Sequence, residues 1–232
     1  MKFPSNLTEA ILLKRHNRFL ADIVVTQTDK RIMTCLNDGS LKGCDVLGTR
    51  IWFSEHQKGS TRLVWELSEV NGGHLVGVNK SMTTKLIVEA INAGVISELQ
   101  GYANYLLNED AQGLSAYLEL RSPKENCFVY AQDVTFCDEI GRGFFPEDID
   151  LRAAEDLRAL IRMVNEGDRA VLFLCVKNTG VQKVFTPRHI DSQYHALLKD
   201  AVDMGVEVYA YRTDISLCHI AIVEPIPYVL LQ

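Results

Sequence analysis

Two neighbouring segments with strand-like composition constrain the fold of this chain more than any other feature. Residues 114–120 read LSAYLEL and residues 127–136 read CFVYAQDVTF, and both are rich in the β-branched and aromatic residues that favour strands. A polar turn separates them, so together they predict a β-hairpin. Because side chains alternate across a strand, Tyr130 and Gln132 share one face, and Tyr117 can meet them across the hairpin.

The first third of the chain consists of short apolar segments broken by turns. Six such segments lie between residues 10 and 78, with turn sequences such as Asn37-Asp38-Gly39 and Asn71-Gly72-Gly73 between them. Short strands at this spacing are typical of a small, closed β-barrel. We therefore predict an all-β barrel over residues 1–82.

The periodicity becomes helical after residue 79. Ser81, Asp150 and Asp191 each precede an apolar pattern of helical spacing and are predicted N-caps. The apolar run Ala170–Val176 predicts a buried strand between two of these helices. Alternating strands and helices indicate an α/β layer fold over residues 83–232.

The charge of the chain is unevenly distributed. The formal net charge is −6, but residues 1–83 hold 11 Lys and Arg against 8 Asp and Glu, whereas residues 84–232 hold 13 against 22. Lys14, Arg15, His16 and Arg18 form a dense basic cluster in the N-terminal part. A nucleic-acid surface is therefore expected to begin there, with a solvated loop of charges as the alternative.

The lengths of the apolar runs and the spacing of the cysteines indicate the cellular compartment in which the protein is expected. The longest purely apolar run, Ala170–Val176, is far too short to cross a bilayer, and the N-terminus has no hydrophobic signal core. We expect a cytoplasmic protein without a membrane partner. The six cysteines lack the paired spacing of a zinc site and are expected to be free thiols; a Cys35–Cys44 disulfide is the alternative, which a reducing cytoplasm disfavours.

Sequence words along nearly the whole chain are specific when taken together. They are NRFLAD (17–22), NDGSLKGC (37–44), WEL (65–67), GVN (77–79), ISELQGY (96–102), FFP (144–146), EGDRAV (166–171) and RHID (188–191). With these words the chain resembles the sugar fermentation stimulation protein A family, SfsA. The resemblance implies an OB-like β-barrel followed by a restriction-endonuclease-like α/β domain.

The resemblance also implies a nuclease-like site that this chain has altered. Family members carry an Asp on the first hairpin strand and Glu-x-Lys on the second, which is the metal-binding and catalytic set of PD-(D/E)xK nucleases. Tyr117, Tyr130 and Gln132 stand at those positions. A phenol is neutral near pH 7 and an amide brings no charge, so neither replaces the carboxylates that a divalent ion needs. We expect no catalytic residues, no metal and no cofactor at this site.

Basic residues near the family site are also reduced. In the helix that follows, where members have an Arg-Gly-x-Lys-His type segment, the chain keeps Arg152 but has Glu155 and Asp156 at the Lys and His positions. Two acids there repel phosphate. This second loss favours an inactive nuclease-fold domain.

The resemblance implies a DNA-binding or regulatory protein linked to sugar metabolism. Exposed aromatic side chains, with Phe19, Trp52, Phe53 and Tyr102 as candidates, could stack on bases. The candidate nucleic-acid-binding residues are Lys14, Arg15, Arg18, Asn37, Lys42, Arg152 and Arg188.

Two alternatives stay open. The first is a metal-dependent nuclease with a displaced carboxylate site, in which Glu119, with Glu109 or Asp110, holds Mg²⁺. The second is a protein-interaction module in which a vacated cleft, lined by Tyr117, Tyr130 and Phe128, packs on a partner or on another subunit. A homo-oligomer is therefore open as well.

Overall fold

Five strands of the N-terminal part close into a barrel. The structure is a computed structural model that describes residues 1–25, 29–56, 63–109 and 116–230. The barrel strands and one appended strand are β1 (Thr8–His16), β2 (Leu20–Val24), β3 (Lys30–Thr34), β4 (Arg50–Glu55), β5 (Leu63–Val70) and β6 (His74–Gly77). They pair in the order β3-β2-β1-β4-β5-β6, and a parallel contact between Thr34 and Val64 joins β3 to β5 and closes the ring. The predicted barrel is confirmed.

Apolar side chains at alternate positions of these strands fill the barrel. Ala10 and Leu12 of β1, Ala21 and Ile23 of β2, and Met33 of β3 are buried in one cluster. The period of two in the apolar residues is what places them on the inner face. Ile11, which lies between Ala10 and Leu12, and Ile32, which precedes Met33, are exposed on the outer face.

The rest of the chain forms an α/β layer. Its helices are α1 (Thr83–Asn92), α2 (Leu151–Asn165) and α3 (Ser192–Asp203). Its strands are β7 (Asn104–Glu109), β8 (Ala116–Arg121), β9 (Asn126–Val134), β10 (Arg142–Phe144), β11 (Arg169–Val176), β12 (Lys183–Thr186), β13 (Glu207–Ile215), β14 (Ile220–Pro225) and β15 (Tyr228–Leu230). The main sheet has the order β14-β13-β11-β9-β8-β7, with β9, β11 and β13 parallel, and β10, β12 and β15 form a small second sheet.

Helices cover both faces of the main sheet. Leu86 and Ile87 of α1 pack on one face in a core that also contains Trp52 and Leu67 of the barrel. Leu157 of α2 and Leu198 of α3 belong to the core on the other face. The barrel and the sheet therefore share a hydrophobic core, which fixes one against the other.

The predicted hairpin is β8 and β9. Its two strands are antiparallel, and Tyr117 lies directly opposite Tyr130. Gln132 follows two residues after Tyr130 and pairs with Leu174 of β11, so it shares the face of Tyr130. Leu114 and Ser115, which were predicted to begin the first strand, lie outside the described residues.

Helix caps follow the prediction at two of three helices. The Asp150 carboxylate accepts a hydrogen bond from the Ala153 amide, and the Asp191 carboxylate accepts from the Tyr194 amide. Ser81 was the wrong cap, because the chain makes a 3-10 turn at Lys80–Met82 before α1. The side chain of Asn79 accepts from the Ser81 amide and caps that turn instead.

The two cysteines of the barrel region are thiols. Cys35 and Cys44 are free and buried, and burial raises the pKa of the Cys35 thiol to about 11. The structure therefore does not contain the alternative disulfide between them.

No helix within the described ranges is long and apolar enough to cross a membrane.

Candidate functional site

Two tyrosine rings fill the space where the hairpin strands face each other. The Tyr117 and Tyr130 rings stack with centroids 5.1 Å apart and planes 7° from parallel, and Phe128 lies tilted at 6.2 Å from Tyr117. Burial, reinforced by the charge of Asp156, raises the pKa of Tyr130. The Tyr130 phenol therefore stays neutral at physiological pH and offers no anionic ligand.

Gln132 is bonded to the acid that stands on α2. Its side chain is buried, and its Nε2 donates to the Asp156 Oδ2 at 2.9 Å. Burial raises the pKa of Asp156 to about 6, against the opposing influence of the Lys80 charge. The Gln132 amide nitrogen therefore occupies one carboxylate oxygen of Asp156. This hydrogen bond takes the place of a contact between that oxygen and a cation.

Asp133 points to the opposite face of β9, as its position next to Gln132 predicts. Its Oδ2 accepts from Lys177 Nζ at 2.6 Å and its Oδ1 accepts from Thr83 Oγ1 at 2.7 Å. Lys177 Nζ also donates to the Asn79 carbonyl at 2.7 Å and to Thr83 Oγ1 at 3.1 Å. The three donors of this ammonium are used, and its side chain is 1% exposed, so the pair joins barrel, α1 and sheet as a structural element.

Glu119 is bound to its own strand. Its carboxylate accepts from Arg121 Nε at 2.6 Å, and its side chain is only 13% exposed. Asp110 and the side chain of Glu109 lie outside the described part of the chain. Across residues 1–25, 29–56, 63–109 and 116–230, no group of three or more His, Cys, Asp or Glu side chains is arranged to hold a metal ion.

A cavity of about 460 Å³ opens between the barrel and the α/β layer. We call it the junction cleft. The barrel contributes Arg18, Phe19 and residues 37–41, the connection contributes Lys80, and the α/β layer contributes Gln132 and residues 145–152 among others. Tyr117 and Tyr130 are not among its lining residues. These two tyrosines, predicted to line a cleft that packs on a partner, stack on each other, and the junction cleft reaches Gln132 but neither of their rings.

Asp38 collects three cations in the junction cleft. Its Oδ1 accepts from Lys80 Nζ at 3.0 Å, its Oδ2 accepts from Arg152 Nη1 at 2.7 Å, and its backbone carbonyl accepts from Arg18 Nη1 at 2.9 Å. These three cations come from the β1–β2 turn, the connection and α2. The Asp38 carboxylate thus pairs with two of these cations and its backbone carbonyl binds the third, which ties both parts of the chain together.

Arg15 and Asn37 order the loop around Asp38. Arg15 has a side chain 6% exposed and donates to the carbonyls of Arg18 (2.9 Å), Asn37 (2.7 Å) and Ser40 (3.2 Å). Asn37 donates to the Val78 carbonyl at 2.9 Å and accepts from the Gly39 amide at 2.8 Å. Both side chains are directed at backbone rather than at solvent.

The other predicted nucleic-acid residues are spread over the surface. Lys14 is exposed on β1, Arg188 is exposed after β12, and neither lines the junction cleft. Lys42 is exposed, with its Nζ 4.9 Å from the centre of the Phe136 ring. Arg18 and Arg152 are the two predicted arginines that the structure brings together. The role of all seven residues in nucleic-acid binding stays a prediction.

Sequence reasoning missed Asp38 and Lys80 as site residues. Asp38 lies within the NDGSLKGC word, which was a usable signal, whereas Lys80 belongs to no motif. Of the aromatic candidates, Trp52 and Phe53 are buried in the core, while Phe19 is 46% exposed in the cleft. Tyr102 receives a hydrogen bond from Arg169 and donates one to Glu125.

Comparison with known families matches both parts of the chain. Residues 13–78 match the family model described as the SfsA N-terminal OB domain, and residues 81–218 match the one described as the sugar fermentation stimulation protein RE domain. A solved structure of Pyrococcus furiosus SfsA in complex with Ca²⁺ superposes with a TM-score of 0.85 at 20% identity, covering 99% of this chain and 98% of that one. At this identity the likeness concerns the fold.

Relatives match along the full length. A sugar fermentation stimulation protein homolog from Pseudoalteromonas atlantica is 35% identical over 236 residues, which is 99% of this chain and 100% of the relative. A homolog from Shewanella pealeana is 34% identical over 232 residues, which is 98% of this chain and 99% of the relative. With its OB barrel, its α/β layer and these relatives, the chain belongs to the sugar fermentation stimulation protein (SfsA) family.

Proposed function

We propose that this protein is a nucleic-acid-binding regulatory member of the SfsA family whose nuclease-fold domain does not cleave. The observation that carries the proposal is the Tyr117–Tyr130 stack with Gln132 bonded to Asp156, which stands at the family's catalytic positions. The family's name, sugar fermentation stimulation protein, supports a regulatory role in sugar use.

Divalent ions do not suit the residues at this position. The Pyrococcus furiosus relative is described in complex with Ca²⁺, and Ca²⁺ takes six to eight oxygen ligands, several of them carboxylates. Here two phenols and a buried amide take the places of the family's Asp, Glu and Lys. Asp156 contributes one carboxylate, which already accepts from Gln132. This donor set does not fit Ca²⁺ or Mg²⁺, and we derive no metal-dependent step for it.

Nucleic-acid binding draws its support from the barrel. OB barrels bind oligonucleotides with the face of their second and third strands and with the loop between strands 1 and 2. In this chain that loop carries Arg18 and the exposed Phe19, and it opens onto the junction cleft. A positive and aromatic loop of this kind suits phosphate and base together.

The test combines binding and cleavage. Labelled single-stranded and double-stranded DNA are titrated by fluorescence anisotropy at three salt concentrations, in Mg²⁺ and in EDTA, and the products are separated on a denaturing gel. The proposal predicts binding that weakens as salt rises, binding in EDTA as well as in Mg²⁺, and intact DNA. Metal-dependent cleavage that Glu119→Ala abolishes would support the displaced nuclease instead.

A second candidate, a protein-interaction surface, is favoured by the edge of the sheet. Tyr117, Phe128 and Tyr130 form a partly exposed aromatic cluster, and Leu106 on the neighbouring strand β7 is 44% exposed. Aromatic surface of this kind is enriched at protein interfaces. No DNA binding at low salt, together with a concentration-dependent molar mass in light scattering that Leu106→Lys abolishes, would favour this candidate.

A further inference from the structure

The junction cleft combines a cluster of cations with exposed apolar side chains. The cations are Arg18, Lys80 and Arg152, gathered around Asp38. Within the same lining, Phe19 is 46%, Ile149 is 69% and Leu151 is 75% exposed. Phe19 comes from the barrel, whereas Ile149 and Leu151 come from the segment that leads into α2. The cleft therefore presents arginine and apolar side chains from both of its walls, and its lining also holds five acids, Asp38, Asp133, Glu147, Asp148 and Asp150.

The two arginines have donors left for a second anion. Each gives Nη1 to Asp38, and a guanidinium has five N–H donors. Arg152 has a side chain 46% exposed, and Arg18 is also exposed. A phosphodiester lying above Asp38 can receive N–H groups from both arginines.

The acids of the cleft are largely engaged by other groups. Glu147 accepts from Ser40 Oγ at 2.6 Å and from the Lys42 amide at 3.2 Å, which fixes the loop after Asp38. Asp150 caps α2, and Asp133 is paired with the buried Lys177. Asp148 is exposed and accepts from its neighbouring amide. Since these acids outnumber the three cations of the lining, the inferred anion site is local to the exposed guanidinium groups of Arg18 and Arg152.

Backbone conformation and hydrogen bonds fix the shape of the turn that carries Arg18 and Phe19. Asn17 and Arg18 have φ values of 48° and 65°, in the left-handed region that non-glycine residues seldom adopt. Arg15 donates through Nε and Nη2 to the Arg18 carbonyl and keeps the turn in this shape. Positive φ at both central residues fits the tight hairpin turn that joins β1 to β2, in which the Phe19 amide donates to the His16 carbonyl. Here the turn aims Arg18 at Asp38 and leaves Phe19 exposed.

We infer that the junction cleft binds single-stranded nucleic acid, with one phosphodiester at Arg18 and Arg152 above Asp38 and an unpaired base on Phe19. An aromatic ring can stack on a base only when the face of that base is free, as it is in a single strand. The inference rests on the proposed function and adds its location and strand preference. Ile149 and Leu151 supply the apolar surface on the opposite wall.

The test compares matched arginine variants. Arg152→Ala is measured against Arg50→Ala, because Arg50 is 48% exposed and pairs with Glu9 and Glu69 away from the cleft. The probes are labelled oligo(dT) of about 12 nucleotides, within the site size of an OB barrel, and a hairpin duplex of the same nucleotide count. We expect Arg152→Ala to weaken oligo(dT) binding about tenfold at low salt and to lower the salt slope by about 0.7. Arg50→Ala should stay within about twofold of the unchanged protein.

A second pair of variants tests the stacked base. Phe19→Leu keeps an apolar side chain but removes the ring, and Val223→Ala serves as its control because Val223 on β14 is 43% exposed, away from the barrel and outside the cleft lining. We expect Phe19→Leu to weaken oligo(dT) binding at least about fivefold. An abasic strand of the same length should bind Phe19→Leu and the unchanged protein equally.

The outcomes separate this inference from the proposed function. If DNA binds but Arg152→Ala and Phe19→Leu behave like their controls, the location is wrong and the proposed function stands. Tighter binding of the duplex than of oligo(dT) also overturns the inference. If no nucleic acid binds at low salt, both the inference and the proposed function fail.

Discussion

Tyr117 stacks on Tyr130 with ring centroids 5.1 Å apart, at the two strand positions where the resemblance to the SfsA family implies carboxylates. The register of β8 against β9 places them directly opposite each other. Two carboxylates at that separation repel unless a cation lies between them, whereas two phenols attract through their rings. The pair therefore stabilises the strands without a bound ion.

The stack should contribute measurable coupling energy. Tyr117→Ala and Tyr130→Ala, alone and combined, are expected to show a coupling free energy of about 1 kcal/mol in urea unfolding. A control cycle of Tyr117→Ala with Phe144→Ala should show none, because Phe144 stacks on Phe136 in a different part of the fold. Additive losses in the tyrosine cycle would contradict the stacking account.

Restoring the family residues should restore ion binding. The triple variant Tyr117→Asp, Tyr130→Glu, Gln132→Lys places two carboxylates opposite each other, so its melting temperature should rise as CaCl₂ is added. The melting temperature of the unchanged protein should not respond to the same additions beyond the effect of equal ionic strength of NaCl. A specific rise with CaCl₂ in the unchanged protein, lost in Gln132→Ala, would contradict our interpretation of this site.

Breaking the buried ion pair of Asp133 and Lys177 should strongly destabilise the fold. Lys177→Met leaves the Asp133 charge unpaired at a side chain 6% exposed, and the free energy of unfolding should fall by about 3–5 kcal/mol. Adding Asp133→Asn removes that orphaned charge, so the double variant should be more stable than Lys177→Met alone. A double variant as unstable as the sum of both single losses would contradict this coupling.

Asp156 should make a pH-dependent contribution to stability. Its pKa is raised to about 6 in the folded chain, mainly by burial, and lies near 4 when unfolded. The folded state therefore binds more protons between these pH values, and the contribution of Asp156 to stability falls as pH rises from about 4 to about 6.

Asp156→Asn removes this charge and can still accept from Gln132. Urea unfolding should show the variant more stable than the unchanged protein at pH 8, with the difference shrinking toward zero near pH 4. The matched control is Glu155→Gln, which changes an exposed acid on the same helix. It should leave the free energy of unfolding unaltered at both pH 8 and pH 4. Equal stability of Asp156→Asn and the unchanged protein at pH 8 would contradict the burial account.

Local rules predicted the fold well. The alternation around Tyr130 and Gln132 correctly placed them on one face, because a strand has a fixed period. Asp150 and Asp191 cap their helices as their position before an apolar pattern predicts. Ser81 failed because the Asn79 side chain accepts from the Ser81 amide and caps a 3-10 turn that precedes the helix.

Long-range contacts were beyond sequence reasoning. Asp38 and Arg152 are 114 residues apart, and Asp133 and Lys177 are 44 apart, so no local pattern links either pair. Glu119 was the alternative metal ligand, and its carboxylate accepts a hydrogen bond from Arg121, two residues away. Side chains that meet only after the barrel packs on the sheet leave no spacing signal in the sequence.

The most direct test of the central claim is one reaction with labelled single-stranded DNA and Mg²⁺ or Mn²⁺, with anisotropy and a denaturing gel read from the same sample. Our account predicts that the protein binds the DNA, that the binding weakens as salt rises, and that every strand stays intact. Metal-dependent cleavage by the unchanged protein, or no binding at low salt, would contradict it.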